Sequence, residues 1–146
     1  MLEVVCETVS AAGIADRTVV LGARAEQIAG AVDTHGARAV VCERWRDGQA
    51  ASLRCGLESL DPTVDEALIV LGDGPHLSLE AIRRVSAGSG PRAADYGKGR
   101  SHPVVLPRSA WAELPARGET PGRSIRVRLV DCGDLPEPGD VDYSER

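Results

Sequence analysis

One carboxylate between two glycines is the residue of this chain best placed to do chemistry. Asp73 lies between Gly72 and Gly74, directly after the apolar run 67–71, which predicts a strand buried on both faces. Ligands of open α/β sheets bind beyond the carboxyl ends of the strands. Because neither neighbour of Asp73 has a side chain, a phosphate or a Mg²⁺ ion can approach the carboxylate closely. The alternative is that Asp73 shapes a turn or caps the helix that begins near Ser78.

The second candidate is a turn at the predicted start of a helix, residues 47–49. The first backbone N–H groups of a helix lack partners, and the helix dipole there attracts negative or polar ligand atoms. Gln49 and Ser52 lie three residues apart, so they share one helix face and are suited to hydrogen-bond a base or a sugar. The alternative is that Asp47 caps the helix while Gln49 and Ser52 face solvent.

Two further segments carry acids or a histidine. In Gly139-Asp-Val-Asp142 the alternating acids would bring a second carboxylate to the same metal, although acidic tails are usually just solvated. His102 precedes a predicted strand, which puts it near the rim of the sheet, and the alternative for this residue is a structural role. These segments add Asp142 and His102 to the candidate site.

Alternating strand and helix patterns must position these residues. Apolar spacing predicts helices over 2–12, 25–32, 48–60, 79–85 and 108–114, and strands over 17–21, 37–42, 67–71, 104–106 and 124–130. A strand–helix order repeated three times is typical of a parallel sheet with right-handed crossovers. The 146 residues are enough for one α/β domain, residues 1–146, with a sizeable core.

The bulk properties exclude several classes of function. The net charge is −5, and no basic stripe with interleaved aromatic residues is present, so a nucleic-acid binder is not expected. There is no signal-peptide pattern and no apolar run near 18 residues, which predicts a cytoplasmic protein without a membrane segment. Four widely spaced cysteines without a C-x-x-C pair argue against both a zinc site and a disulfide framework.

Six motifs follow one another in a characteristic order. They are Val19-Val-Leu-Gly22, Asp47-Gly-Gln-Ala-Ala-Ser-Leu-Arg-Cys-Gly-Leu57, Leu71-Gly-Asp-Gly-Pro75, Tyr96-Gly97 with His102-Pro103-Val104, Arg117-Gly118 with Gly122-Arg123, and Gly139-Asp-Val-Asp142. Over nearly the whole chain this set resembles the MobA-like nucleotidyltransferases, in particular the molybdenum cofactor cytidylyltransferase type. The resemblance implies a three-layer α/β/α, Rossmann-like fold with a mostly parallel sheet, of the nucleotide-diphospho-sugar transferase type.

The resemblance also implies a reaction. A phosphate of the acceptor, a phosphorylated pterin such as molybdopterin, would attack the α-phosphorus of CTP or GTP and release pyrophosphate. Asp73 and Asp142 would be the catalytic acids that hold Mg²⁺, and His102 would lie in the acceptor-side wall. The residues expected beside the nucleotide are Gly48, Gln49, Ser52 and Gly72.

The chain departs from the family pattern in several places. Such families open with a strand and a Gly-rich loop whose Arg and Lys cradle the triphosphate, whereas this chain begins at the helix that should follow. Gly74 replaces the usual Gln, and Ser101 replaces the usual Gly. Tyr143-Ser144 replaces the usual Thr-Pro after the second acid.

These departures produce three expectations. The missing first strand would lie in the middle of the sheet. Its two neighbouring strands are therefore expected to lack hydrogen-bond partners. Self-association of the chain over the open sheet is compatible with this loss. We expect the sequence to be a fragment or the product of a start at an internal Met. Because phosphoryl transfer depends on positioned positive charge, activity is expected to be impaired. The alternative is a non-catalytic nucleotide-binding or partner-binding relative that has lost the triphosphate loop.

Overall fold

Helices and strands alternate along the part of the chain that the computed structural model describes, residues 1–119 and 121–139. The helices are α1 (Leu2–Ala11), α2 (Ala25–Ala31), α3 (Gln49–Glu58), α4 (Leu79–Ser86) and α5 (Arg108–Trp111). The strands are β1 (Thr18–Leu21), β2 (Arg38–Val41), β3 (Glu66–Ile69), β4 (Arg92–Asp95), β5 (Arg100–Pro107) and β6 (Arg128–Asp131). A 3₁₀ turn, Trp45–Asp47, leads into α3.

The strands form two sheets. One contains β1 and β2 in parallel, and the other has the order β3-β5-β4-β6. Strand β5 runs antiparallel to both of its neighbours, while β4 and β6 are parallel. No strand in the described residues joins the two sheets. The predicted α/β class is confirmed, with β5 as the antiparallel member.

Helices cover both faces of β3. Ala67 and Ile69 pack in one apolar cluster with Leu57 of α3, whereas Leu68 packs in another with Val5 of α1. Because successive strand residues point to opposite faces, α1 and α3 lie on opposite sides of the sheet. This arrangement is the expected three-layer architecture.

Helix α4 begins at a side-chain cap supplied by Ser78. The Ser78 hydroxyl oxygen accepts a hydrogen bond from the Ala81 N–H at 3.0 Å. The helix then buries Ala81, Ile82 and Val85 against the sheet. The helix therefore does not use Asp73 as its cap, which removes one of the alternatives considered for that residue.

Strand β4 was not predicted because its residues lack the β-branched side chains typical of strands. Ala93 and Ala94 are fully buried, and their small size leaves space for the elements packed on them. Arg92 is also fully buried, and its guanidinium donates to three carbonyls of the segment 85–90 and to the Glu66 carboxylate. These acceptors satisfy a charge that would otherwise be costly to bury.

The expectation of no disulfide was wrong for one pair of cysteines. Cys42 follows β2, Cys55 lies on α3, and the two form a disulfide with a Cα–Cα distance of 5.8 Å. The sequence could not show this pairing because it arises from the packing of α3 beside β2. Cys6 and Cys132 are free and buried, as small apolar residues are.

None of the helices that the structure describes is long and apolar enough to cross a bilayer.

Candidate functional site

A cavity of about 610 Å³ lies between the strands β1 and β3 and the helices α1 and α3. Five of the residues singled out in the sequence line it, although they come from three separate segments. They are Gln49, Ser52, Gly72, Asp73 and His102. The structure therefore brings these candidates to one place, and the roles assigned to them stay predictions.

Asp73 is the residue at this cavity best placed to bind a ligand. Asp73 and Gly72 are both exposed, and within residues 1–119 and 121–139 the Asp73 carboxylate has no hydrogen-bond or ion-pair partner. The turn around it is closed by backbone bonds alone, from the Gly74 N–H to the Leu71 carbonyl and from the Leu77 N–H to the Gly74 carbonyl. The side chain is thus free to bind a cation or a polar ligand.

His102 lies on β5 and is held by Tyr96. The Tyr96 hydroxyl donates to the His102 carbonyl at 2.8 Å, and burial raises the pKa of Tyr96 to about 12, so the phenol keeps its proton. Burial also lowers the pKa of His102, an effect that the negative Asp73 opposes and Arg100 reinforces. The imidazole is therefore neutral near pH 7 and offers one donor and one acceptor to the cavity.

Gly48 does not line the cavity, and it allows a distant loop to reach the start of α3. Its φ is +99°, and a Cβ there would lie 2.5 Å from the Gly118 carbonyl oxygen. Gly118 accepts a hydrogen bond from the Ala50 N–H at 2.9 Å and donates one to the Asp47 carbonyl at 2.8 Å. The N-cap residue is Gly48, without a side-chain cap bond, so the alternative that Asp47 caps the helix is wrong.

The departure at Gly74 has a physical reason. A Cβ at this buried position would lie 3.0 Å from the Pro138 Cβ and 3.3 Å from the Gly139 carbonyl oxygen. The His76 N–H also donates to the Pro138 carbonyl at 3.0 Å. The chain just before Asp142 is therefore packed on the loop that carries Asp73. Outside the described residues lie Asp140, Asp142, Tyr143 and Ser144.

Positive charge is scarce around the cavity. Among the described residues, Arg17 is the one arginine or lysine that lines it. Its two terminal nitrogens already donate to the carbonyls of Ile14 and His35, whereas its buried Nε has no hydrogen-bond partner among the described residues. The cavity thus offers a free carboxylate and neutral polar groups, but little to hold a triphosphate.

The sequence reasoning missed two supporting residues, Tyr96 and Gly118. Both stand in the matched motifs, yet neither motif shows what the residue touches. Tyr96 contacts the neighbouring strand, and Gly118 contacts a helix far away in the sequence. Gly48 was the sequence signal for the contact with Gly118, because a glycine at a helix start can adopt a positive φ and allow another backbone segment to approach closely.

Comparison with protein families gives a match over most of the chain. Residues 1–132 match the model of the MobA-like NTP transferase domain. Nicotine blue oxidoreductase of Paenarthrobacter nicotinovorans is 27% identical over 164 aligned positions, which cover 100% of this chain and 80% of that protein. Its name records an oxidoreductase, so similarity to this relative does not by itself fix the reaction.

Solved structures show the same fold. The homologue of Mycobacterium tuberculosis Rv0371c from Mycobacterium sp. strain JC1 has a TM-score of 0.81 at 23% identity, covering 99% of this chain and 77% of that one. Rv0371c from M. tuberculosis H37Rv in complex with manganese has a TM-score of 0.78 at 27% identity, covering 99% and 82%. A nucleotidyl transferase from Methanothermobacter has a TM-score of 0.75 at 21% identity, covering 94% and 70%.

Proposed function

The chain belongs to the MobA-like NTP transferase family, and on that premise we propose that it transfers CMP from CTP to a phosphorylated pterin acceptor in the cytoplasm. GTP is the second choice of donor. A phosphate oxygen of the acceptor would form a bond to the α-phosphorus while the bond from that phosphorus to the bridging oxygen of the β-phosphate breaks. Pyrophosphate leaves with the electron pair of the broken bond.

The observation that carries this proposal is the free Asp73 carboxylate in a cavity shared with Gln49, Ser52 and His102. Amide and hydroxyl groups at the start of α3 are suited to hydrogen-bond a base or a ribose. The bare backbone at Gly72 lets a ligand approach closely. His102, neutral at pH 7, would offer the acceptor one donor and one acceptor without adding charge.

Mg²⁺ is the cofactor in this proposal, held by Asp73 and Asp142. Carboxylate oxygens, with phosphate oxygens and water, are the donors that Mg²⁺ prefers. Asp73 has no competing partner in residues 1–119 and 121–139, and Gly139 packs beside Gly74. The manganese complex of Rv0371c adds support from a relative. When bound, the ion would neutralise charge on the phosphates.

The second candidate is a non-catalytic relative that binds a nucleotide or a partner. The observation that favours it is the scarcity of positive charge, because within the described residues Arg17 is the one basic residue that lines the cavity and both of its terminal guanidinium nitrogens already donate to backbone carbonyls. The same observation supports impaired turnover under the first candidate, because the leaving pyrophosphate needs positive charge.

Calorimetric titration with Mg²⁺–CTP and Mg²⁺–GTP, paired with a pyrophosphate-release assay, tests the proposal. We expect weak binding that requires Mg²⁺, prefers CTP and is lost in Asp73→Asn, with slow pyrophosphate release. The matched control is Glu113→Gln, which neutralises an exposed acid outside the cavity. Tight binding by the 146-residue chain would refute the impairment. Metal-independent binding without pyrophosphate release would favour the non-catalytic candidate, and equal binding by Asp73→Asn would contradict the metal assignment.

A further inference from the structure

The two sulfur atoms of the Cys42–Cys55 disulfide differ in how far solvent reaches them. Cys42, directly after β2, is fully buried, whereas Cys55 on α3 is half-buried. Cys6 and Cys132 are also buried, and all four cysteines lie in the described part of the chain, so Cys55 alone is partly exposed. Thiol–disulfide exchange requires access to a sulfur atom. An external thiol therefore reaches this bond from the Cys55 side.

A guanidinium group lies beside the exposed sulfur. The Arg44 Nη2 is 3.6 Å from the Cys55 Sγ and 3.4 Å from a carboxylate oxygen of Glu58. Glu58 is exposed and neutralises the guanidinium only in part, because solvent screens an exposed ion pair. A neighbouring cation stabilises a thiolate, which is the form of a thiol that attacks disulfides. Arg44 is thus placed to attract an attacking thiolate and to stabilise Cys55 as a thiolate.

The buried sulfur has a neighbour that suits its reduced form. The Cys42 Sγ lies 3.6 Å from the Ala51 carbonyl oxygen, a distance at which a thiol S–H can donate a hydrogen bond. After reduction, the Cys42 thiol would therefore have an acceptor, and a Cys55 thiolate would have the Arg44 guanidinium. A disulfide whose reduced form is stabilised by its surroundings is easier to reduce.

The two free cysteines have surroundings of the opposite kind. Burial raises the pKa of the Cys6 thiol and of the Cys132 thiol, so both stay protonated near pH 7. Cysteines buried in this way are inert toward exchange. The contrast leaves Cys42 and Cys55 as the sulfur atoms of this chain that are suited to reversible exchange.

We propose that the Cys42–Cys55 pair is a reversible thiol–disulfide exchange site, in which external thiols attack the Cys55 sulfur and Cys42 is the leaving sulfur. The co-reactant that opens the bond is a dithiol, and the one that closes it is a low-molecular-weight disulfide. Disulfides of cytoplasmic proteins are usually transient redox sites, so the cytoplasmic location proposed above fits this assignment. This inference does not rest on nucleotidyl transfer.

The opening reaction has two steps. One thiolate of the dithiol forms a bond to the Cys55 Sγ while the bond between the two cysteines breaks, and Cys42 leaves with the electron pair and takes up a proton. The second thiol of the reductant loses its proton to solvent and attacks its own sulfur in the mixed disulfide. Cys55 then leaves as a thiolate. The dithiol is oxidised to a cyclic disulfide, and the protein gains two electrons.

The test of the closing direction uses the reduced full chain and glutathione disulfide. The Cys55 thiolate should attack it, release glutathione and form a mixed disulfide, which Cys42 resolves in the unchanged chain. Cys42→Ser should therefore stop at the Cys55–glutathione adduct, which peptide mass spectrometry locates. Cys55→Ser should form at least about tenfold less adduct at Cys42, because that sulfur is buried.

The test of the opening direction is the reduction rate of the oxidised, folded chain in excess dithiothreitol. The rate should rise in proportion to the dithiothreitol concentration, because the bond is attacked without unfolding. Arg44→Gln should slow reduction at least about threefold. The matched control is Arg83→Gln, which removes an exposed arginine of α4, outside the elements that hold the two cysteines, and should leave the rate unchanged.

Three results would overturn the proposal. They are equal adduct formation at Cys42 and Cys55 in the two serine variants, a reduction rate that reaches a plateau with dithiothreitol because the chain must first unfold, and equal rates for Arg44→Gln and Arg83→Gln. The concentration dependence in the unchanged chain decides the question if a serine variant fails to fold.

Discussion

Asp73 and His102 both line the cavity, and the charge of Asp73 acts on the His102 imidazole. The negative charge of Asp73 raises the pKa of His102, although burial and Arg100 keep it below its ordinary value of about 6.5. We predict that Asp73→Asn lowers the His102 pKa further, and that Mg²⁺ binding at Asp73 does the same. Proton NMR titration resolves this easily, since the chain has three histidines. If the His102 pKa stayed the same in Asp73→Asn and on addition of Mg²⁺, the proposed effect of the Asp73 charge on His102 would be contradicted.

The lowered pKa of His102 also makes stability depend on pH. The unfolded chain binds the His102 proton more readily than the folded one, so the free energy of unfolding falls as pH drops below about 6.5. Above that pH the imidazole is neutral in both the folded and the unfolded chain, so His102 no longer lowers the free energy of unfolding. In urea unfolding, the free energy of unfolding of His102→Gln should decline less than that of the unchanged chain between pH 7 and the folded-state pKa of His102. An unchanged decline would assign the pH dependence to other groups.

Gly48 provides a separate residue-level prediction. Gly48→Ala should destabilise the protein by more than about 1 kcal/mol, because the residue has a positive φ and its Cβ would overlap the Gly118 carbonyl oxygen. The matched control is Gly30→Ala in α2, where a Cβ meets nothing within 4 Å and the helix gains up to about 1 kcal/mol. Urea unfolding measures both. Similar values for the two variants would show that Gly118 does not pack on α3 as described.

At the scale of elements, the Cys42–Cys55 disulfide fastens α3 to the end of β2. Closing a loop of this 13-residue separation is worth about 3 kcal/mol in the unfolded-chain model. Cys55→Ser should lose about that much stability, and a reductant should then have no further effect. Thiol counting in denaturant without reductant should find two free thiols, Cys6 and Cys132. Four free thiols would contradict the pairing.

Sequence patterns predicted the elements whose burial is periodic. The helices 2–11 and 79–86 follow apolar stripes, and β3 follows an unbroken apolar run, so their positions were predicted closely. Strand β4 was missed because its signal is tertiary. Its alanines and its buried Arg92 acquire their role from neighbouring carbonyls and from Glu66. Apolar periodicity therefore predicts helices and strands that bury one apolar face, but it does not predict a strand such as β4, whose burial depends on contacts with distant segments.

At the scale of the molecule, one topological rule located most of the candidate site. Ligands bind where strands of an α/β sheet end, and this rule predicts from the sequence that Asp73, Gln49, Ser52 and His102 lie together. All four line the cavity. The rule could not show that Gly118 covers the start of α3 or that Pro138 packs on Gly74. Those contacts join distant segments and leave no local pattern.

The most direct test is a paramagnetic NMR measurement with Mn²⁺ in place of Mg²⁺, in the presence of CTP. We predict that signals of Gly72 and Asp73 broaden first, followed by those of His102 and Gln49, and that Asp73→Asn abolishes the broadening. Broadening centred on another acidic surface, or an unchanged response in Asp73→Asn, would contradict the claim that Asp73 anchors a divalent ion in this cavity.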